Sequence, residues 1–313
     1  MTTVITRIAE WNSVAAWLRR DEVIGLVPTM GALHDGHGAL LDEARRRCSL
    51  VVASIFVNPI QFNQKRDYDR YPRPLAEDVE FCKKRGVDYV FAPPDDEMYP
   101  ERQRVFVEVQ DISEHLCGRY RPGHFRGVAT VVMKLFQMLQ PGLAFFGEKD
   151  YQQLAVVRRL VRDLNVPVQV VGVPTVRERD GLAMSSRNRH LTLEERSFAP
   201  CLYRALQVAQ GLITSGERNV SVIKDQTAKV MRALPEFRLE YFDLVDPETI
   251  QPVASVQAPV RAAMAAWVGK TRLIDNVLCE PPAVVHRVPG KSAETYQVPN
   301  KSASATLFLN EVR

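Results

Sequence analysis

Two histidines three residues apart, His34 and His37, stand in the run Pro28-Thr29-Met30-Gly31-Ala32-Leu33-His34-Asp35-Gly36-His37-Gly38. Imidazoles at that spacing meet on one side of a helical turn and can offer two ring N–H donors to one anion. Gly31 and Gly36 let the backbone come close to a ligand, and the free N–H groups of a helix's first turn favour negative charge. This equipment suits a nucleoside triphosphate, whose leaving pyrophosphate must be held as its charge develops. Neither a P-loop nor a Gly-x-Gly-x-x-Gly fingerprint is present.

Such a turn needs a strand before it and a helix behind it. The β-branched run Val23 to Val27 supplies the strand, and Leu40 to Arg47 carries a helical pattern. Asp42 and Glu43 come early and Arg45, Arg46 and Arg47 late, the order that complements a helix dipole, so a helix is expected to open at Gly36. The apolar run Leu50 to Val57 then reads as a buried parallel strand, which completes a βαβ unit. Asn58-Pro59-Ile60-Gln61-Phe62 follows at the carboxyl end of that strand, where open α/β sheets bind ligands. Gln61 offers a neutral donor and acceptor together, which suits a hydroxy acid that must be oriented without neutralising its carboxylate.

The pattern recurs further on. Leu143 to Phe146 reads as a strand and runs into Gly147-Glu148-Lys149-Asp150-Tyr151-Gln152-Gln153, where a lysine at a helix start opposes the dipole unless an anion lies nearby. Gln153, one turn later, either joins Gln61 around a substrate or faces solvent. Ser185, Ser186 and Arg187 in Met184-Ser185-Ser186-Arg187-Asn188 supply two hydroxyls and a cation that can grip a triphosphate. The loop Arg119 to Arg126, with three arginines and His124, reads equally as an anion site or a solvated loop.

The remaining elements frame these stretches. Ile8 to Arg20 reads as an amphipathic helix over a sheet edge, Asn63 to Pro74 as a loop, Leu75 to Arg85 as a helix and Val87 to Phe91 as a strand. Residues 1–174 form an α/β domain closed by the strand Val168–Val173, and 175–280 a smaller α+β domain. The latter contains a helix opened by the capping box Thr192-Leu193-Glu194-Glu195, another over Val220 to Leu234, and strands at Arg238–Leu244, Val260–Val268 and Thr271–Val277. Residues 281–313, rich in Pro, Ser, Asn and Lys, read as a flexible tail.

Composition excludes some classes. At 313 residues, 46% hydrophobic and 25% charged, the chain suits a globular protein with a sizeable core. A net charge of +4 with scattered basic residues argues against a nucleic-acid surface, and no run of 18 apolar residues or signal-peptide core argues for a membrane or secretion. Five cysteines without a C-x-x-C pair read as free thiols in a reducing cytoplasm.

The histidine turn resembles the His-x-Gly-His signature of the nucleotidylyl transferase superfamily. More closely, residues 1 to 280 resemble the pantoate–β-alanine ligase family. The motifs are the histidine turn with its Pro28-Thr29-Met30-Gly31, Ser54-Ile55-Phe56-Val57-Asn58-Pro59 with Gln61-Phe62, Arg121-Pro122-Gly123-His124-Phe125, Gly147-Glu148-Lys149-Asp150 with Gln152-Gln153, Met184 to Asn188, and Arg272-Leu273-Ile274-Asp275-Asn276. The resemblance implies a Rossmann-like amino-terminal domain, a carboxy-terminal lid, a homodimer in the cytoplasm, and a two-step ATP reaction through pantoyl adenylate. It makes His37 the proton donor with His34 on the phosphates. Lys149 and Arg187 assist catalysis. Met30, Gly31, Gly36, Gly147, Glu148, Asp150, Val176, Met184, Ser185 and Ser186 join these four residues around ATP. Gln61, Gln153, Asn58 and His124 hold pantoate and β-alanine, and Asp78 helps to place Mg²⁺. Gly38, Ile60 and Lys65-Arg66 depart from the family pattern, Gly38 in a way expected to loosen the helix start. The rival readings are a nucleotidyltransferase acting on a phosphorylated acceptor, which calls for a cationic pocket in place of Gln61 and Gln153, and a nucleotide-binding module without catalysis.

Overall fold

The computed structural model describes residues 2–18, 22–232 and 237–283. Among them, β1 (Thr3–Ile5), β2 (Ile24–Thr29), β3 (Leu50–Ile55), β4 (Tyr89–Phe91), β5 (Leu143–Gly147) and β6 (Gln169–Val173) form an all-parallel sheet in the order β1-β4-β3-β2-β5-β6. The chain leaves β2 towards β3 and β4, then returns to the other side of β2 for β5. Crossovers therefore diverge from β2, and the crevice at the carboxyl ends of β2 and β5 is the sheet's switch point. The turns that follow Thr29 and Gly147, 118 residues apart in the chain, meet there.

β2 runs two residues beyond the expected Val27, because Pro28 and Thr29 stay in register with Ser54 and Ile55 and the Thr29 hydroxyl donates to the Ser54 carbonyl at 2.8 Å. The next helix, Asp35–Arg47, opens one residue before Gly36 and buries Leu40, Leu41 and Ala44. Its start is not loosened by Gly38. A Cβ there would lie 2.4 Å from the Arg85 guanidinium, which occupies the space and pairs with Asp35 at 3.0 Å and Asp42 at 2.7 Å. Helices Leu75–Lys84, His124–Leu139 and Tyr151–Asp163 follow at or near their expected places. Three differences are local. The first helix stops at Ala15 short of Arg20, β1 is an added strand paired with β4, and a short helix, Lys65–Arg70, braced by a Lys65–Asp69 pair, lies inside the expected loop.

The second sheet is an antiparallel meander of β7 (Phe237–Val245), β8 (Val260–Val268) and β9 (Thr271–Cys279). Its inner face packs on helices Cys201–Thr214 and Val220–Arg232 through Leu202, Leu206, Ile213, Ile223 and Met231, all buried with Leu244, Met264 and Val268. The expected single helix after Thr192 is two. The capping box forms, with Thr192 and Glu195 bonded reciprocally at 3.1 and 2.8 Å, but Pro200 separates Leu193–Phe198 from Cys201–Thr214. Met1 to Pro281 make one compact unit. Of the tail expected from residue 281, all from 284 onwards lies outside the described residues. The five cysteines are free and buried, and no helix among the described residues is long and apolar enough to cross a membrane.

Candidate active site

The histidine turn is held from below. Gly31 sits at φ +82°, and a Cβ there would meet the Asp78 carboxylate at 2.9 Å. Asp78, only 3% exposed, accepts from the Ala32 N–H at 2.8 Å and the Leu33 N–H at 2.7 Å. Burial raises its pKa, and the two N–H bonds act against that rise. Both carboxylate oxygens thus serve the backbone, and Asp78 does not line the cavity. In this structure Asp78 fixes the turn. Among the described residues no cluster of three His, Cys, Asp or Glu could hold a metal.

The two imidazoles lie 4.1 Å apart, centroid to centroid. His34 Nδ1 accepts from the Gly36 N–H at 3.1 Å and His37 Nδ1 from the His34 N–H at 3.3 Å, so each ring caps the helix start. A ring whose Nδ1 accepts carries its proton on Nε2 when neutral. Neutral is the state that the surroundings favour. Burial lowers His34 to about 4, with Lys149 and Arg189 adding to the effect, and lowers His37 to about 3, with His34 adding to it. The turn therefore presents two Nε2–H donors without a fixed charge.

His124 is neutral for similar reasons. Burial, then Arg121, lowers it to about 3. Its Nδ1 donates to the Gln61 carbonyl at 2.8 Å, and its Nε2 accepts from Arg121 at 3.0 Å. The three depressed histidines set a pH dependence. Below the unfolded value of about 6.5 the unfolded chain binds protons that the folded rings refuse, so their contribution to stability is complete above 6.5 and declines towards pH 3–4. Each ring contributes up to about 1.4 kcal/mol per pH unit in that window. The raised carboxyls of Asp78 and Asp275 act in the opposite sense. We expect the thermal midpoint to fall by roughly 5 °C or more between pH 7.5 and 5, as scanning calorimetry can show; a flat profile would mean that the rings protonate freely in the fold.

Behind the turn after β3, a second set of polar groups is locked in place. Asn58, 1% exposed, donates to Gln61 Oε1 at 3.0 Å and to the Gly127 carbonyl at 3.1 Å, while accepting from the Tyr99 hydroxyl at 2.8 Å. Gln61 Nε2 meets Met30 Sδ at 2.9 Å. This leaves one Nε2–H of Gln61 for a ligand. The turn can sit against helix His124–Leu139 because residue 127 has no side chain.

β9 carries the support of the turn after β5. Asn276, 5% exposed, donates to the carbonyls of Glu148 and Lys149, both at 2.9 Å, and accepts from Arg261 at 3.1 Å. The neighbouring Asp275 takes a bidentate pair from Arg177 at 2.6 and 3.0 Å, and the Arg177 guanidinium lies over the Tyr203 ring. Burial raises the Asp275 pKa against that pair. For Asp150, burial pushes the pKa up, but Lys149 and Arg187 outweigh it and hold the carboxyl below its usual range.

One cavity gathers these groups. Met30, His34, Gly36 and His37 form one wall, Gly147, Lys149, Asp150 and Gln153 another, and Val176 with Met184, Ser185, Ser186 and Arg187 the third. Asn58, Gln61 and His124 also line it. Of the residues expected at the site, Gly31, Glu148 and Asp78 stay outside this lining, the first two contributing backbone. Sequence reasoning missed the polar members Thr29, Tyr71, Arg121 and Thr175, and an apolar wall of Phe56, Val128, Val131, Val132, Leu135 and Phe146. The periodicity of Val128 to Leu135 showed a buried face but not that a cavity shares it. Arg121 was visible in its motif, yet nothing in the sequence separated an anion site from a solvated loop.

The chain is similar to known proteins over most of its length. The family model described as Pantoate-beta-alanine ligase matches residues 3–278. The chain is 50% identical over 280 residues to a pantothenate synthetase of Moorella thermoacetica, covering 90% of this chain and 99% of that one. A pantothenate synthetase of Thermus thermophilus superposes with a TM-score of 0.83 at 50% identity, over 88% of this chain and 98% of the other. The Francisella tularensis pantoate-β-alanine ligase, solved in complex with β,γ-ATP and β-alanine, gives 0.76 at 33% identity over 89% and 98%. On the strength of the motifs, the fold and these matches, the chain belongs to the pantoate–β-alanine ligase family.

Proposed function

We propose that this chain is an ATP-dependent ligase that joins pantoate to β-alanine through a pantoyl adenylate, releasing pyrophosphate and then AMP. The observation that carries the reading is the composition of one cavity lining. Uncharged Nε2–H donors, Lys149, Ser185, Ser186 and Arg187 share it with the locked carboxamides Asn58 and Gln61 and with an apolar wall. The relative from Francisella tularensis was solved in complex with β,γ-ATP and β-alanine, which supports the same assignment here.

Pantoate is a branched hydroxy acid with two methyl groups. The apolar wall suits the methyls and Gln61 with Gln153 the hydroxyls, so that the carboxylate stays ionised and free to attack. One carboxylate oxygen attacks the α-phosphorus of ATP as the bond to the bridging oxygen breaks. Negative charge moves onto pyrophosphate, and His34, His37, Lys149 and Arg187 receive it. Neutral imidazoles are well matched to this task, because they donate without forming a charge pair with the ground state alone. In the second step the ammonium first gives a proton to solvent, the free amine attacks the acyl carbon, AMP leaves with the bonding pair, and the remaining extra proton on nitrogen passes to solvent. Mg²⁺ belongs to this reading as part of the ATP complex that binds as substrate. A division at residue 174, with 175–280 closing over the nucleotide, would shield the water-sensitive adenylate. The homodimer and cytoplasmic location are carried with the same reading.

The test is a mass-spectrometric assay with ATP, Mg²⁺ and pantoate, with and without β-alanine. AMP and pantothenate only with both substrates, and a trapped pantoyl adenylate without the amine, are the expected results. Bound ATP with pantoate untouched would preserve the nucleotide site and overturn the substrate assignment.

A further inference from the structure

A smaller cavity opens beside the main one and shares a wall with it. Arg121, His124, Lys149, Asp150, Gln153 and Arg187 line both, whereas His34, His37, Ser185 and Ser186 line only the main cavity. The side cavity is rich in cations, but most are already matched. Arg272 pairs with Glu240, Arg261 with Glu148 at 3.6 Å, and Lys149 with Asp150 at 3.6 Å. Arg187 is taken up by the nucleotide in the reading above. Arg121 differs from all of these. Among the described residues no carboxylate lies within 4 Å of its guanidinium, and its one side-chain hydrogen bond goes to His124 at 3.0 Å.

A half-buried guanidinium with four N–H groups unspent is incomplete without an anion. Burial, with Arg187 and Arg272 adding to it, lowers its pKa to about 10, the mark of a cation short of a partner. The bond to His124 fixes its direction. His124 in turn holds the Gln61 carbonyl, so the unpaired cation is tied to the turn that carries the pantoate carboxamide. Asp150 faces the same shared wall with the opposite charge.

We propose that Arg121 is the carboxylate receptor for the amino-acid substrate, which enters by the side cavity with its carboxylate on Arg121 and its ammonium towards Asp150. This rests on the ligase reading and says how the second substrate is recognised. The pairing predicts that the site selects an amino acid over a plain amine. A cation and an anion facing one cavity complement a zwitterion. The shared wall also brings the amine to the acyl carbon only when the main cavity already holds the adenylate.

The experiment compares β-alanine with n-propylamine, which keeps the amine and the chain length but has a methyl group in place of the carboxylate. Wild-type protein should prefer β-alanine. In Arg121→Met the KM for β-alanine should rise at least about tenfold and the preference should collapse, while the KM for ATP moves less than about threefold. Arg121→Lys should recover part of the preference and serves as the informative variant if Arg121→Met fails to fold. An unchanged preference in either folded variant overturns the proposal, and so does a loss of pantoyl-adenylate formation, assayed without amine, as large as the loss overall. Failure of the ligase reading itself shows separately, as no adenylate from wild-type protein.

Discussion

His37→Ala should lower pantoyl-adenylate formation about 100-fold, equivalent to about 2.7 kcal/mol of transition-state stabilisation. The ring is fixed by the His34 N–H on Nδ1, and its Nε2–H is the donor left to the cavity. As the bond to pyrophosphate breaks, the oxygens there gain charge, and the donor strengthens where it counts. His37→Gln keeps an N–H donor on a longer, looser arm and should recover part of the loss. Both changes also remove the bond to the His34 N–H, so single-turnover rates at saturating ATP separate chemistry from binding. Turnover near the wild-type rate in folded His37→Ala would remove this residue from the reaction.

The next largest effect is expected from a residue that touches no substrate. A Cβ at position 127 would lie 2.5 Å from the Ile60 carbonyl oxygen and 2.6 Å from Gln61 Cα. Both are backbone atoms, so Gly127→Ala must push the 59–61 turn away from helix His124–Leu139. The Asn58 bond to the Gly127 carbonyl crosses the same contact. Overpacking of this kind costs about 1–3 kcal/mol of stability. The larger result is chemical. Gln61 moves with its turn, and a displacement near 1 Å in a substrate-holding group lowers kcat/KM for pantoate by roughly 100-fold. The KM for ATP should stay within about threefold, since the histidine turn and Lys149 are held by other contacts. Unchanged kinetics for pantoate would show that the carboxamide does not set the position of the acid.

These two residues illustrate what could be read from the chain. The histidine turn was legible because strand, glycines and helix are contiguous, and its chemistry follows from residue type and spacing. The strands of the second sheet were legible within two residues, since alternation and β-branching mark them locally. Gly127 was not, because its neighbour Ile60 comes from another element 67 residues away. The bonds of Asp78 to the Ala32 and Leu33 N–H groups were not legible either, since they span about 45 residues of chain and only the fold brings them together. The helix Cys201–Thr214 was not separately read, although Pro200 marks the break before it. Arg121 shows the deepest limit, for a charge without a carboxylate partner among the described residues is recognised only in the folded chain.

The two hydrogen bonds from Asn276 to the carbonyls of Glu148 and Lys149 bear on how this protein can be re-engineered. The six-stranded half contains the histidines, the carboxamides and the lysine, and looks like a portable nucleotide module. Its lysine turn, however, is buttressed by a strand that the ribosome adds more than 120 residues later. A transplanted amino-terminal half would carry every side chain of that wall on an unbraced turn. Grafts and chimaeras should therefore keep β9, or supply a substitute for its amide.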